Sequence, residues 1–351
     1  MAIVPGSGIV PASGLTTNEL NAVTRRAFVD KLFVQMYYAT PSTFYMFGNA
    51  QRAAGGLNQI TIPMQGSSMV TGQYMGYLGG FNPPGVVNGV QVGQWNISVW
   101  GVPVPLPFGE TVIQSTDTVM PLLKARMNDV YAVSMQEVAS RMYSNNSANP
   151  LAPDSFQSAF DNGTNFPTYG GINRTTPGNA NFQGQYINLA ASPWATPFTA
   201  GATRAAMATL IAYVADHAGG ESPTYGVMNP ADYATLNTSF IGIEAAFVDP
   251  NKNYSGMDTS MRSSFPNLNV SGVPIFNDHF VPRGSIFFNN MKYTNMYLSE
   301  DMAFDFSGFQ SLVPINQIGM QGIMVLGWNI VSAKSSSGAW CYGLPGAAWQ
   351  N

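Results

Sequence analysis

Ser115–Ser144 reads STDTVMPLLKARMNDVYAVSMQEVASRMYS, the longest uninterrupted helical pattern in the chain. Asp117 or Thr118 is suited to cap its first turn, and Pro121 falls where a missing N–H costs little. At 1.5 Å per residue the predicted helix is roughly 40 Å long, so the rest of the chain is expected to pack along it. The apolar residues that share one face of this helix, at steps of three and four, are Met120, Leu123, Met127, Val130, Tyr131, Met135, Val138 and Met142.

The composition is unusual in its charge. Asp, Glu, Lys and Arg make up 9% of the residues, where about 25% is usual for soluble proteins. The chain also has 16 Tyr, 21 Phe and 19 Met, and aromatic residues and Met are enriched where subunits bury surface against each other. These features favour a protein whose surface is covered by neighbouring copies. An extracellular β-rich protein with Asn-, Thr- and Gly-rich surfaces is the alternative that composition leaves open.

Simple features exclude several classes of protein. Cys341 is the only cysteine, so neither an intrachain disulfide nor a thiolate metal cluster can form. The first residues, MAIVPGSGIVPASG, lack a basic region and are broken by Pro and Gly, unlike a secretory signal peptide. No stretch approaches 18 apolar residues, so no membrane partner is predicted. A net charge of −4 gives no basic surface for sequence-specific nucleic-acid binding.

The segment from Ala53 to Gly109 contains no charged residue. Apolar and polar residues alternate at both of its ends, around Ile60 and after Trp95, and its middle is rich in Gly and Pro. This pattern predicts a long two-stranded β-hairpin. An uncharged hairpin with free edges would aggregate in water unless another subunit covers it. The segment is therefore the strongest local indication of assembly.

The other segments predict both helices and strands, and Gln321–Lys334 is apolar enough to be buried on both faces. In chain order, the predicted elements are a helix from the capping box Thr16–Glu19 to just before Pro41, turns over 145–197, a helix over 200–218 with Ala205, Leu210, Ile211 and Val214 inward, the strand Tyr225–Met228, a helix capped by Asn229 and begun by Pro230, and the strands Val273–Phe276, Ser285–Phe288, Met296–Phe306, Gln321–Lys334 and Trp340–Leu344.

The residues offer no candidate for catalysis or metal binding. His217 and His279 are far apart in sequence, and with one cysteine they do not make a zinc ligand set. The chain has no G-x-S-x-G elbow, no phosphate-binding G-x-x-x-x-G-K and no G-x-G-x-x-G. Asp278 beside His279 is interpreted as a hydrogen-bonded turn, and Cys341 as a small core residue. The prediction is a protein that is not an enzyme and has no cofactor.

The order of the short motifs resembles one known family over nearly the whole chain, the major capsid proteins of tailed bacteriophages with the HK97-like fold. No single motif is specific, but their order is. The motifs that carry the resemblance are Ala39–Ser42, Gly55-Gly56 leading into Ile60–Met64, the long helix after an uncharged hairpin, Tyr169–Arg174, Tyr225–Tyr233, Gly272–Asp278, Pro282–Gly284 and Phe288-Asn289.

The resemblance implies an α+β fold in four parts. These are an N-terminal arm and helix over 1–52, an extended hairpin or E-loop over 53–109, a peripheral domain over 110–165 and 290–332 with the spine helix at 115–144, and an axial domain over 166–289 and 333–351. The hairpin lacks a lysine, so the covalent lysine–asparagine bonds of some relatives cannot form from it. The short arm implies a separate scaffolding protein.

The resemblance also implies a function. The chain would be a structural subunit that self-assembles as pentamers and hexamers into an icosahedral phage head around double-stranded DNA. Its partners would be copies of itself, a scaffolding protein, a portal protein, a cement or decoration protein and DNA bound without sequence specificity. It would assemble in the bacterial host cytoplasm and reside in the virion. The alternative is a secreted carbohydrate-binding or adhesive β-protein, which explains neither the long helix nor the missing signal peptide.

Contacts between subunits are expected from the hairpin, from the charges that flank it and from the charged loop over 249–266. The candidates for these contacts are Arg52, Tyr74, Tyr77, Phe81, Glu110, Asp249, Lys252, Asp258 and Arg262.

Overall fold

The computed structural model describes residues 40–53, 59–66, 74–75, 77, 89–107, 122–144, 151–176, 178–244, 267–308, 310–311 and 319–345. Its helices are α1 (Pro41–Gly48), α2 (Leu122–Tyr143), α3 (Phe156–Phe160), α4 (Arg204–His217) and α5 (Pro230–Glu244). Its strands are β1 (Gln51–Ala53), β2 (Gln59–Gln65), β3 (Val90–Asn96), β4 (Ser98–Pro107), β5 (Thr168–Tyr169), β6 (Ile172–Asn173), β7 (Gln185–Asn188), β8 (Tyr225–Met228), β9 (Asn267–Val270), β10 (Val273–Asn277), β11 (Ile286–Asn289), β12 (Thr294–Phe306), β13 (Gln310–Ser311), β14 (Gly319–Ser332) and β15 (Ala339–Tyr342). The α+β class predicted from the sequence is confirmed.

Four sheets organise the described strands. A six-stranded sheet has the order β7-β15-β11-β8-β10-β9, and a five-stranded sheet has the order β1-β12-β14-β13 with β4 also paired to β14. The pairs β2-β3 and β5-β6 form two small sheets. By contacts the chain divides into a smaller unit, which includes Val99–Glu137 and Asp301–Gly327, and a larger unit, which includes Val138–Glu300. None of the described helices is long and apolar enough to span a membrane.

The six-stranded sheet and α4 form the core of the larger unit. All four residues of β8 are buried, as the prediction for Tyr225–Met228 requires. Thr203 caps α4, because its hydroxyl accepts a hydrogen bond from the Ala206 N–H. The predicted inward face of this helix is wrong at one position: Ala205 is exposed and Ala206 is buried instead. The residues of α4 that enter the core are Ala206, Met207, Leu210, Ile211 and Val214.

The long helix α2 confirms the prediction from Ser115–Ser144 over its described part, and 115–121 lie outside the described residues. Its buried stripe has a spacing of four, since Val130, Ser134, Val138 and Met142 are all buried. Tyr131, predicted on that face, is 48% exposed and contacts the Phe304 ring at 5.0 Å. The core of the smaller unit brings together Val130, Val104 and Met324.

The predicted hairpin is confirmed for β2 and β3, which pair antiparallel from Gln59 opposite Asn96 to Gln65 opposite Val90. The sequence prediction is wrong beyond Asn96, because residues 98–107 form β4, which pairs with β14 in another sheet. The physical reason is burial. Val104 is 1% exposed in the smaller core, and a hairpin with only two strands would leave such a side chain half in water.

Two local predictions need correction. The sequence predicts that the first helix stops before Pro41, and in the structure Pro41 begins a separate helix, α1, in whose first turn the missing N–H costs little. The helix predicted from Thr16 lies outside the described residues. The turns predicted over 145–197 include α3, which begins with a capping box between Ser155 and Ser158. Burial on both faces of β14 holds for residues 326–332, whereas over residues 320–325 the buried Gly322 and Met324 alternate with residues that are at least partly exposed.

Candidate assembly surface

One face of the β2-β3 hairpin is exposed along its full length. The antiparallel register places alternate residues of both strands on this face. All of them are exposed, and none is charged. We call this the open hairpin face, and it consists of Gln59, Thr61, Pro63, Gln65, Val90, Val92, Gln94 and Asn96.

The opposite face packs the hairpin against the β5-β6 loop of the same unit through Trp95, which is 2% exposed. Its ring packs on Gly170 and lies 5.5 Å from the Tyr169 ring. A Cβ atom on Gly170 would come within 2.5 Å of the Trp95 ring, and the φ of Gly170 is +56°. The Gln94 N–H donates to the Gly170 carbonyl at 2.8 Å. Glycine is therefore required at 170 both for its φ and for the close approach of the indole.

Arg174 fixes the loop that carries this glycine. Its side chain is buried at 1% exposure, and burial lowers the pKa of its guanidinium. The guanidinium donates to the carbonyls of Ser158, Ala159 and Asp161 and to the Ser335 hydroxyl. Those carbonyls lie at the end of α3, where backbone acceptors lack helical partners. A buried cation thus holds the end of α3 and the β5-β6 loop together.

Asp161 orders the turn that leads to β5. It is fully buried, and its carboxylate accepts hydrogen bonds from the backbone N–H groups of Gly163, Asn165 and Phe166. Backbone donors compensate for the cost of burying a carboxylate. Arg174 and Asp161 therefore have their partners inside the fold, and both act on the position of the hairpin rather than on a ligand.

Asp278, which the sequence places beside His279, faces inward. Its carboxylate accepts from the Phe280 N–H at 3.0 Å and from the Tyr143 hydroxyl at 3.1 Å. That hydroxyl is also hydrogen-bonded to Ser42 at 2.5 Å. Burial raises the pKa of Asp278 to about 6, whereas His279 is exposed. The interpretation of this pair as a hydrogen-bonded turn is confirmed.

The other side chains that could be reactive or bind a metal have structural roles. Cys341 is fully buried, and burial raises the pKa of its thiol, so its interpretation as a core residue is confirmed. No group of three His, Cys, Asp or Glu side chains with metal-binding proximity occurs in the described part of the chain. His217 ends α4, as predicted, and its Nδ1 lies 3.1 Å from the Tyr213 carbonyl oxygen.

The structure describes three of the predicted contact residues. Arg52 is exposed in β1, opposite Leu298 of β12. Tyr74 and Tyr77 are completely exposed. The other predicted contact residues lie outside the described part of the chain: Phe81, Glu110, Asp249, Lys252, Asp258 and Arg262.

Sequence reasoning missed the exposed apolar residues of the strands. Val90 and Val92 lie on the open hairpin face, at 37% and 48% exposure. In the smaller unit, Val99 and Ile323 are 55% and 43% exposed. A side chain at Gly101 would lie 3.6 Å from Ile323, so β4 and β14 share this exposed side. Side chains alternate between the two faces of β3. Once Trp95 is known to face inward, this alternation therefore places Val90 and Val92 on the exposed face.

No family model matches the chain, and no curated protein matches it by sequence. Solved structures match it at low identity over nearly its full length. In the cyanophage A-1(L) capsid, a chain 12% identical aligns over 94% of this chain and 99% of its own, with a TM-score of 0.65. In the capsid of cyanophage P-SCSP1u, a chain 14% identical aligns over 97% of this chain and 99% of its own, with a TM-score of 0.52. In the holo-SrpI encapsulin complex of Synechococcus elongatus, a chain 10% identical aligns over 97% of this chain and 99% of its own, with a TM-score of 0.54.

These similarities extend over residues of both units of the chain. They agree with the ordered motifs, the long helix and the uncharged hairpin. The chain has the HK97-like fold of tailed-phage capsid proteins.

Proposed function

We propose that this chain is the major capsid protein of a tailed bacteriophage, a structural subunit without catalytic activity. The observation that carries the proposal is the open hairpin face, on which every residue is exposed and uncharged. Isolated hairpins of this kind invite pairing with other chains. A fold used for shells, combined with a surface that needs a neighbour to cover it, supports self-assembly.

The finer proposal is assembly as pentamers and hexamers into an icosahedral head that encloses double-stranded DNA. The subunit would carry its N-terminal arm and helix over 1–52, its E-loop over 53–109, its peripheral domain over 110–165 and 290–332 and its axial domain over 166–289 and 333–351. Arg52, Tyr74 and Tyr77 would contact neighbouring subunits, and their exposure is compatible with this. The contact residues outside the described part belong to the same proposal.

The proposed partners follow from the same reasoning. Within the described residues, the hairpin has no charged side chain on its open face, so contacts with neighbours would rest on apolar packing and amide hydrogen bonds. A cement or decoration protein would strengthen such a shell. A scaffolding protein and a portal protein would guide its assembly in the host cytoplasm, and the mature product would be the virion.

Electron microscopy of the purified protein, with a sedimentation profile of the same sample, tests the proposal. Closed shells, or rings of five and six, are the expected result. Tubes or sheets would also agree and would indicate a missing scaffold. A monomer that stays soluble at high concentration would overturn the proposal and favour the adhesive β-protein.

A second candidate is an encapsulin, because an encapsulin complex aligns over 97% of the chain with a TM-score of 0.54. The A-1(L) capsid aligns with a higher TM-score of 0.65, which favours the phage assignment. Shells from the native source decide between them. Nuclease-protected double-stranded DNA inside the shells supports a phage head, and its absence from every particle favours the encapsulin.

A further inference from the structure

The turn over residues 161–164 arranges the atoms for a reaction within the chain itself. Its sequence is DNGT, and Asn162-Gly163 is one of two Asn-Gly pairs in the protein. The Cγ atom of an Asn side chain can be attacked by the backbone nitrogen of the next residue, which closes a five-membered ring. Glycine hinders this attack least, because it has no side chain beside the nitrogen. The contacts of the turn therefore decide whether this pair is protected or reactive.

The attacking nitrogen faces a carboxylate. The Gly163 N–H donates to Asp161 Oδ2 at 2.8 Å, so the proton that must leave this nitrogen already points at an acceptor. The same oxygen accepts the N–H groups of Asn165 and Phe166 at 3.0 and 2.9 Å, which fixes its position. General-base assistance requires a base within hydrogen-bond reach of the proton that it takes. Asp161 meets this requirement for the Gly163 nitrogen.

The carbonyl under attack has two hydrogen-bond donors. Asn162 Oδ1 accepts from the Thr164 N–H at 3.1 Å and from the Thr164 hydroxyl at 2.6 Å. Negative charge develops on this oxygen as Cγ becomes tetrahedral, and donors at such distances stabilise that charge. Asn162 is partly exposed and Thr164 is exposed, so water can reach the ring that forms. A nucleophile, a base and oxyanion donors thus lie within four consecutive residues.

A second turn has the same donors without the other two groups. Asn173 Oδ1 accepts from the Thr175 N–H at 2.9 Å and from the Thr175 hydroxyl at 2.7 Å. The residue after Asn173 is Arg174, whose Cβ hinders its nitrogen and whose N–H donates to the Pro167 carbonyl at 2.8 Å. A carbonyl oxygen is a far weaker base than a carboxylate. Asn173 is therefore the internal comparison for Asn162.

We propose that Asn162 is a self-modification site, at which the folded turn promotes loss of the side-chain amide. The Gly163 N–H gives its proton to Asp161, and the nitrogen forms a bond to Asn162 Cγ. The bond from Cγ to Nδ2 breaks, and the proton leaves with the departing ammonia. Water then opens the succinimide at either carbonyl, which leaves aspartate or isoaspartate at position 162. Each chain reacts once, so this is a covalent change and not turnover.

The reaction would weaken the contacts that this turn holds. The Asp161 carbonyl accepts from the Arg174 guanidinium at 2.7 Å and from the Gly184 N–H at 2.8 Å. Isoaspartate lengthens the main chain directly after this carbonyl and adds a carboxylate beside Asp161. Because Arg174 positions the β5-β6 loop on which Trp95 packs, the hairpin would be held less firmly in aged protein than in fresh protein. The proposal concerns one turn, and it holds or fails whether or not the chain forms a phage head.

The test follows loss of the Asn162 amide with time in the full chain at neutral pH, by peptide mass spectrometry. Enzymatic methylation of isoaspartate identifies the product. Asn162 should react at least about tenfold faster in the folded chain than in the same chain unfolded in guanidinium chloride, since base and oxyanion donors each contribute on the order of 10²-fold in enzymes. Asn88, which precedes Gly89, is the standard for the unfolded rate. Asn173 should keep its amide in the folded chain.

Variants of the two threonines separate promotion from mere exposure. Thr164→Val removes the hydroxyl donor at an exposed position and should slow the reaction in the folded chain roughly tenfold. Thr175→Val is the matched control, because it removes the corresponding hydrogen bond to Asn173 and should leave the rate at Asn162 unchanged. Equal slowing by both variants would overturn the proposal.

Asp161→Asn tests the base. It should abolish the acceleration, and near-ultraviolet circular dichroism shows whether this variant folds. If it does not fold, the two threonine variants decide. Loss of the amide in the folded wild-type chain at or below the rate in the unfolded chain would show that the turn protects Asn162, and the proposal would be wrong.

Discussion

Gly170 satisfies two structural requirements. Its φ is +56°, and the Trp95 ring occupies the space that a Cβ atom would need. We predict that Gly170→Ala lowers the free energy of unfolding of the larger unit by about 2–4 kcal/mol, because it adds both backbone strain and a steric clash. Thermal unfolding followed by tryptophan fluorescence measures this. Gly171→Ala is the control, since Gly171 has a φ of +74° but no atom within 4 Å of a Cβ. It should lose only about 1 kcal/mol, and equal losses would contradict the role given to Trp95.

The buried carboxylate of Asp278 makes stability depend on pH. Its pKa is raised by burial from 3.8 to about 6, so the folded state binds this proton more tightly than the unfolded state. The stabilisation is fully present below about pH 4 and is lost as pH rises through about 6. We predict that this group favours the fold by on the order of 2–3 kcal/mol more at pH 4 than at pH 7. Chemical denaturation across this range, compared with Asp278→Asn, isolates its contribution.

Tyr143→Phe provides a second check on the same carboxylate. The Tyr143 hydroxyl donates to Asp278 at 3.1 Å, and this hydrogen bond lowers the pKa of the acid. Removal of this hydroxyl should raise the pKa of Asp278, so the pH range over which stability is lost should shift to higher pH. A window that stays in place, or moves to lower pH, would show that another group governs the transition.

Among the elements, the open hairpin face has the most direct consequence for assembly. Val92 is 48% exposed and lies at its centre. We predict that Val92→Asp abolishes shell formation with little change in the thermal stability of the subunit, because a charge buried at a subunit interface without a partner costs several kcal/mol. Sedimentation and thermal unfolding separate the two effects. Leu151→Asp is the matched control, since Leu151 is 80% exposed and lies outside the hairpin. Shells formed as well by Val92→Asp as by Leu151→Asp would exclude this face from the interface.

The elements also show what sequence reasoning can reach. Helical periodicity predicted α2, and β8 was predicted as a short buried strand. Asn229 before Pro230 predicted the start of α5, where the Ala231 N–H donates to Asn229 Oδ1 at 3.1 Å. Alternation found a strand after Asn96 but assigned it the wrong partner. An alternating pattern shows that a strand is half-buried, but it does not show which sheet buries it. The eight residues of α1 are too few for a period to emerge.

The candidate site was predicted in outline only. An uncharged segment with two alternating ends indicated a hairpin, which the register of β2 and β3 confirms. That a neighbouring subunit covers this hairpin stays a prediction. The role of Arg174 could not be predicted, because its partners are backbone carbonyls and a serine that come together only in the fold. From the sequence alone, an arginine is expected at the surface. The burial of Arg174 is favourable only because the carbonyls at the end of α3 accept its hydrogen bonds.

For the whole molecule, scarcity of charge sets the expected response to salt. Only 9% of the residues are charged, and the open hairpin face has none. We predict that the concentration at which the protein assembles changes less than about threefold between about 0.1 M and 1 M NaCl, although the screening length falls from about 10 Å to 3 Å. Light scattering across a dilution series measures this. A much larger change would place charged pairs, such as those proposed for Arg52 or Asp249, at the centre of the interface.

A shell held by such a face would respond to temperature instead. Burial of the apolar surface of this face, at Pro63, Val90 and Val92, is driven near room temperature by the entropy of released water, and this driving force fades on cooling. Particles of this protein would then loosen in the cold and tighten with moderate warming, over a range in which the subunit itself stays folded. Storage on ice, the usual precaution for a purified virus particle, would be the condition under which this one is most easily taken apart.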